Sequence, residues 1–351
     1  MPITVGPVTL HMGPDTIGGP DPLEAPIIAF IDGARDELFV SIQELDHAPI
    51  AQAFIRARRR GVHVRMIMEQ DYLRERKVPA ADSLGAQAIN RDILMEILQV
   101  GVDAKADYNP NIFHQKFVVR DRSAVLTGST NFTTTGVTKN LNHVVIIDDV
   151  TVAKEYSAEF RDLRRGNFGR HSTLRKRPLD DHIVGGLRIK PLFAPDHMPE
   201  MEFIKQMIKA TDRIDFAVFT FSESSGIDDA LVNAKVKGVD VQGILDRKQA
   251  NQTWAAKATL QTVDIPLFKN KTGTGVRKVH HKLMVIDNAV TSIGSFNYTG
   301  PANLVNDENI VVLGDRDTDD PAQKAAQKQI ADYARAEIQR IISDQSEPIL
   351  D

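Results

Sequence analysis

Cysteine is absent from all 351 residues. That excludes disulfides, a thiolate nucleophile, iron–sulfur clusters and any Cys-based zinc site. No apolar run approaches the roughly 20 residues of a membrane-spanning helix, and the opening MPITVGPVTLHMGPDTIGGPDP lacks a basic leader followed by an apolar stretch. The expectation is a soluble, cytoplasmic protein. Excess positive charge is also missing: a net charge of -4 and a pI near 6.2 argue against general adhesion to nucleic acid, which usually shows a basic footprint. Two local basic groups stand out, Arg56 with Arg58, Arg59 and Arg60, and the stretch from Arg161 to Arg177. Their plainest reading is solvated faces or helix C-terminal charge.

A hydrophobic content of 42% with 26% charged residues supports a sizeable core, and the length calls for two domains or two fused halves. The halves are visible as a repeat. Asp36–Glu44 reads as a buried strand, Pro49–Arg60 as a helix closed by Gly61, and Gly61–Glu69 as a second strand. The run from Asp212, the helix Gly226–Lys237 and the Val-rich segment after Gly238 repeat that order. Each is a β-α-β unit, which implies a parallel strand pair and an α/β fold class. Short strands follow in both halves, Lys116–Arg120 and Ala124–Thr127 echoed by Lys282–Ile286 and Val290–Ile293, then Asn142–Ile147 echoed by Glu308–Leu313. The turn-prone, Arg-rich stretch Arg164–Asp181 is the natural linker, dividing the chain into 1–180 and 181–351. The segment Pro321–Asp344 has the composition of a terminal scaffold helix.

The chemistry sits in two matching strings. His114-x-Lys116-x4-Asp121 leads after six residues to Gly128-Ser129-x-Asn131, and His280-x-Lys282-x4-Asp287 leads with the same spacing to Gly294-Ser295-x-Asn297. Six fixed identities arise by chance at roughly one in 10^7 to 10^8 start points, so two copies are not accidental. On a strand, residues two apart face the same side, so each His and its Lys share one space, a pairing that suits an anion. Gly-Ser-x-Asn adds close backbone approach, a hydroxyl and an amide, donors for phosphate oxygens.

These strings resemble the His-Lys-Asp motifs of the phospholipase D superfamily, and the resemblance extends over nearly the whole chain. It implies two similar α/β/α halves with mixed sheets, related by a pseudo-twofold axis, with one active site at their interface. It also implies phosphodiester hydrolysis without metal or cofactor, one His attacking phosphorus and the other serving as general acid and base. In the family an acid or amide downstream of each motif bonds the histidine of the other half, and the matching positions here are Asn142 and Glu308. Only Glu308 is a carboxylate, so crossed pairing makes His114 the nucleophile and His280 the acid and base. Lys116, Lys282, Asn131 and Asn297 would hold the phosphoryl oxygens, with Ser129 and Ser295 as supporting donors. Asp121 and Asp287 are expected to hold local structure.

Other candidates are weaker. His281 should point away from His280 by strand alternation, and His143 borders the site only by its position next to Asn142. Asp46, Glu69, Asp71 and Asp246 lack convergent spacing and read as loop or rim residues. Trp254 and Phe268 would stack a base or touch a lipid if they were not simply packed. The substrate order from sequence is nucleic acid first, phospholipid second, and a non-catalytic nucleic-acid-binding relative last. Since both motifs lie in one chain, a monomer suffices for one site.

Overall fold

A computed structural model describes residues 1–73, 85, 87–175 and 179–350. Lys176, Arg177 and Pro178 of the expected linker lie outside them, as do residues 74–84 and 86. The strand Glu37–Ile42 is buried at five of its six positions, the near-continuous, mostly apolar habit of a strand covered on both faces. It runs parallel to His63–Met68 across the helix Ala48–Arg59. That helix starts with Pro49 in its first turn and ends on Arg56, Arg58 and Arg59, as the missing proline N–H and the helix dipole favour. Arg56 and Arg60 pair with Asp32, and Arg58 donates to the Gly101 carbonyl. This basic group is therefore engaged by the fold itself.

Arg213–Val218, the helix Ile227–Val236 and Asp240–Leu245 repeat the unit in the second half. Around each parallel pair grows a mixed sheet. The first runs Ile3–Val5, Val8–Gly13, Asn140–Ile147, Ala124–Gly128, Lys116–Arg120, Glu37–Ile42, His63–Met68, Asp103–Ala106. The second runs Ser346–Pro348, Leu267–Asn270, Asp240–Leu245, Arg213–Val218, Lys282–Ile286, Val290–Gly294, Glu308–Leu313, Leu187–Ala194, His182–Val184. The motif strand is central in both, flanked by the first strand of the β-α-β unit and by the strand that carries Gly-Ser-x-Asn.

Three apolar cores result. One lies on the outer face of each sheet, under the helices of its own half. The third joins the halves and includes the helices Val150–Arg164 and Pro321–Arg340. There Tyr156 packs edge-on between Phe117 of the first half and Phe193 of the second, at 5.0 Å from each. Burying a ring of this size contributes about 2–3 kcal/mol, so the halves are joined by core packing and not by a tether alone. The C-terminal segment does more than cap an edge. Its helix ends at Arg340, a π-turn covers Ile341–Gln345, and Ser346–Pro348 then adds a strand beside Leu267–Asn270. No helix among the described residues is long and apolar enough to cross a membrane.

Candidate active site

Two strand exchanges bring the motifs together. Lys278–Val279 leaves the second half to pair with Asn140–Leu141 of the first, and the His280 amide donates to the Leu141 carbonyl at 2.9 Å. In the mirror position Phe113 bridges Asp307, and the His114 amide donates to the Asp307 carbonyl at 2.9 Å. Each histidine therefore enters its strand already hydrogen-bonded to the opposite half. Behind each exchange sits a buried acid. Glu69 accepts from the Phe113 amide at 2.6 Å, and Asp246 accepts from the Val279 amide at 3.2 Å. Sequence reading placed both acids on the rim, since nothing local links them to segments more than thirty residues away.

The side chains cross in the same way. His114 Nδ1 lies 2.6 Å from Glu308 Oε2, and His280 Nδ1 lies 2.9 Å from Asn142 Oδ1. Ser295 Oγ donates to Glu308 at 2.5 Å and Ser129 Oγ donates to Asn142 at 2.8 Å. Expected as donors toward phosphate, the two serines instead hold the residues that orient the histidines. Gly128 and Gly294 explain why each Gly-Ser pair starts with glycine. Their φ values are 145° and 152°, and a Cβ would stand 2.3 Å from the His143 and Asn309 carbonyl oxygens respectively, closer than any side chain tolerates.

Lys116 and Lys282 are buried and reach back to the carbonyls of their own histidines at 2.9 and 2.8 Å. Lys116 Nζ also lies 3.3 Å from Gln43 Oε1, while Lys282 Nζ stands 5.2 Å from the centroid of the Phe219 ring. Asn131 and Asn297 follow at the strand ends, partly open, and Asn297 Oδ1 accepts from the Thr220 amide at 3.3 Å. Asp121 and Asp287 sit in left-handed turns after the motif strands. Their carboxylates accept the backbone amides of Arg35, Asp36 and Glu37, and of Thr211, Asp212 and Arg213. They anchor each motif strand to the start of its neighbour and stand apart from the cleft chemistry.

Burial dominates the electrostatics. It drives His114 well below the usual imidazole range, helped by Lys116 and Lys282. It does the same to His280, where Lys282, Lys116 and His114 add to the effect. Burial lowers Lys116 to about 7 against the attraction of Glu308, Glu44 and Glu69, and lifts Glu308 to about 8 against Lys116, Ser295 and Lys282. Burial thus disfavours charge on all four side chains, and neighbouring cations add to the effect at His114, His280 and Lys282, a clustering of perturbed groups typical of functional sites. In the tautomer that donates Nδ1–H to Glu308, His114 keeps its Nε2 lone pair free.

The other two candidate histidines, His143 and His281, form a second pair. His143 Nδ1 lies 3.1 Å from His281 Nδ1, the rings stack at 5.4 Å, and His143 Nε2 accepts from the Gly294 amide. Strand alternation turns both away from the catalytic cleft, so His143 does not border the site. His281 is fully buried near Glu337, a packing position and not a surface one. Trp254 is 41% exposed and lines a cleft beside Asn297, whereas Phe268 packs against the inter-half core.

Two mixed-sheet α/β halves that exchange strands so as to bring together paired His and Lys residues define a fused, pseudo-twofold protein with one such cluster between its halves. The family described as "Cardiolipin synthase, PLD-like domain" matches residues 27–164 and again 203–340; the chain belongs to the phospholipase D superfamily. It is 28% identical over 137 residues to a phospholipase D of Rickettsia felis, an overlap of 39% of this chain and 62% of that protein. With a mitochondrial cardiolipin hydrolase of Xenopus laevis it shares 31% over 131 residues, 37% of this chain and 56% of the relative. The chain thus spans about three fifths of the length of these relatives. The fold is similar to that of phosphatidylserine synthase from Haemophilus influenzae, with a TM-score of 0.65, 12% identity, and coverage of 99% of this chain and 89% of that one.

Proposed function

We propose that this chain hydrolyses a phosphodiester in two steps on one phosphorus atom. His114 Nε2 attacks, the bond from phosphorus to the leaving oxygen breaks, and that oxygen takes a proton from His280 Nε2. Water then gives its proton to His280 as its oxygen bonds phosphorus, and the P–N bond to His114 breaks. Lys116, Lys282, Asn131 and Asn297 hold the non-bridging oxygens as charge builds on them. The observation that carries the division of labour is the unequal pairing, Glu308 carboxylate on His114 at 2.6 Å and Asn142 amide on His280 at 2.9 Å. A carboxylate supports positive charge on the ring that becomes phosphorylated, and a neutral amide lets the other ring release its proton.

For the substrate, an amphiphilic phosphodiester of the phospholipid type is the reading best supported. Glu44 and Asp46 flank Lys116 and Lys278 at the site, and carboxylates there oppose a polyanion that must thread past. Exposed Ile112 and Trp254 line the adjoining cleft. The names of the rickettsial and Xenopus relatives point the same way. Nucleic acid, the first choice on sequence, retains the support of Arg277 and Lys278, whose charges reach Glu44. The test is purified protein in EDTA with phosphatidylcholine, cardiolipin, single-stranded DNA and bis(p-nitrophenyl) phosphate, followed by acid quench and peptide mapping. Hydrolysis with an acid-labile phosphoryl group on the His114 peptide is expected, lost in His114→Ala and accumulating in His280→Asn. An adduct on His280 reverses the roles, and loss of all activity in EDTA overturns the mechanism.

A further inference from the structure

The repeat supplies an internal standard for substrate selection. Two chemically equivalent halves would build two equivalent flanks beside the phosphate, one for each ester arm. The register identifies the matching positions. Val218 pairs with Lys282 as Ile42 pairs with Lys116, so Thr220 corresponds to Glu44 and Ser222 to Asp46. Lys278 precedes its histidine by the same two residues as Ile112. Each also abuts the matching partner across the halves, Lys278 beside Asn140 and Ile112 beside Asn306.

At these positions the chain abandons its symmetry. One flank carries Lys278 with Glu44 and Asp46, charges close enough to act on one another. On the other, Ile112, Thr220 and Ser222 join Trp254 and Pro301 around a cleft of about 420 Å³ that opens beside Asn297. Every charged position of the first flank is neutral in the second. The cleft's one acid, Glu223, has its Oε1 taken by the Thr259 hydroxyl at 3.1 Å. Apolar walls with a few hydroxyls and amides suit an uncharged organic group, and a carboxylate at the edge disfavours a further phosphate.

We infer that this cleft selects the substrate by receiving an uncharged apolar arm of the phosphodiester, with Ile112 and Trp254 as the specificity-determining walls. The inference rests on the hydrolytic reading above and deepens it. Both side chains are partly exposed, at 47% and 41%, so replacing them leaves the core intact.

The experiment uses bis(p-nitrophenyl) phosphate, which places an aryl arm in the cleft whichever arm departs. Ile112→Lys and Trp254→Ala should each lower kcat/KM at least tenfold, while Ile112→Leu and Trp254→Phe stay within about threefold of wild type. A merely structural role would not be rescued by shape alone or worsened by charge alone. Thr220→Glu, which installs the residue of the first half, is a third and independent loss. If Ile112→Lys and Trp254→Ala both keep kcat/KM within twofold, the inference is overturned. So it is if the wild type turns over an oligodeoxynucleotide, charged on both arms, faster than a short-chain phosphatidylcholine. An inactive wild type toward every diester sinks the hydrolytic reading instead, and the two failures are distinct.

Discussion

Glu308→Gln isolates the carboxylate that makes the two histidines unequal. The substitution keeps size and an acceptor oxygen but removes the charge that faces His114 at 2.6 Å. In the proposed mechanism the phosphorylated ring of His114 carries positive charge. With charge centres about 4 Å apart and an effective dielectric near 20, the lost attraction is about 4 kcal/mol, or roughly a thousandfold in kcat/KM. Folding should not suffer. Burial raises Glu308 to about 8, so the folded state binds its proton more tightly than the unfolded chain. The carboxylate therefore costs stability progressively as pH rises from the ordinary glutamate range to about 8, and glutamine removes that cost. The expected outcome is a melting temperature equal to or above wild type at pH 8, with activity on bis(p-nitrophenyl) phosphate down about a thousandfold and little change in KM. A loss under tenfold, with the phosphoryl group still on His114, would refute the reasoning.

Two further expectations concern charge. Lys116, lowered by burial to about 7, must be protonated to grip an anion. Sulfate, whose charge is constant across the range, should thus bind with proton uptake above pH 7 and weaken toward tenfold per pH unit. Calorimetry in two buffers of unlike ionisation enthalpy measures this, and constant affinity from pH 6.5 to 9 contradicts it. Burial pushes the Asp121 carboxyl up, but the amides of Glu37, Asp36 and Arg35 outweigh it and hold the group below its ordinary value. Asp121→Ala should cost about 1–2 kcal/mol near neutrality, the part-exposed amides being rescued by water. Because the folded pKa is depressed, that contribution is present above the unfolded value and lost as pH falls through the folded one. Urea titrations in which the gap between wild type and variant persists under strong acid would contradict it.

The repeat and the motifs were legible because they are local: a strand, a turn and fixed spacings of two, five and seven residues are written along the chain. Mixed-sheet halves of phospholipase D type followed from the same strings. What escaped sequence reading is made by proximity across the halves. Glu69 and Asp246 looked like rim acids, yet each accepts the amide of the residue just before a motif histidine. Ser129 and Ser295 looked like phosphate donors until their hydroxyls were seen on Asn142 and Glu308. His143 and His281 are neighbours only because strands 138 residues apart cross. A spacing rule has no term for such contacts. The difference between the flanks was readable in principle, since Lys278 and Ile112 occupy equal offsets from their histidines, but it gained meaning only beside a cleft.

The single substitution of amide for acid also sets the charge of the site. Once a bound anion has drawn protons onto Lys116 and Lys282, both lowered by burial, the two lysines supply two positive charges against the one negative charge of an ionised Glu308, a net of one positive charge facing a phosphodiester that carries one negative. A second carboxylate at position 142, bonded to His280 and to Ser129 where Asn142 now stands, would cancel that excess before substrate arrived. It would also raise the pKa of His280 and hold its proton more firmly against release to the leaving oxygen. An exactly repeated site would therefore be weaker in anion binding and undecided in direction. On the proposed mechanism, the amide at Asn142 spares the site a second negative charge and gives the reaction a donor and an acceptor that are not interchangeable.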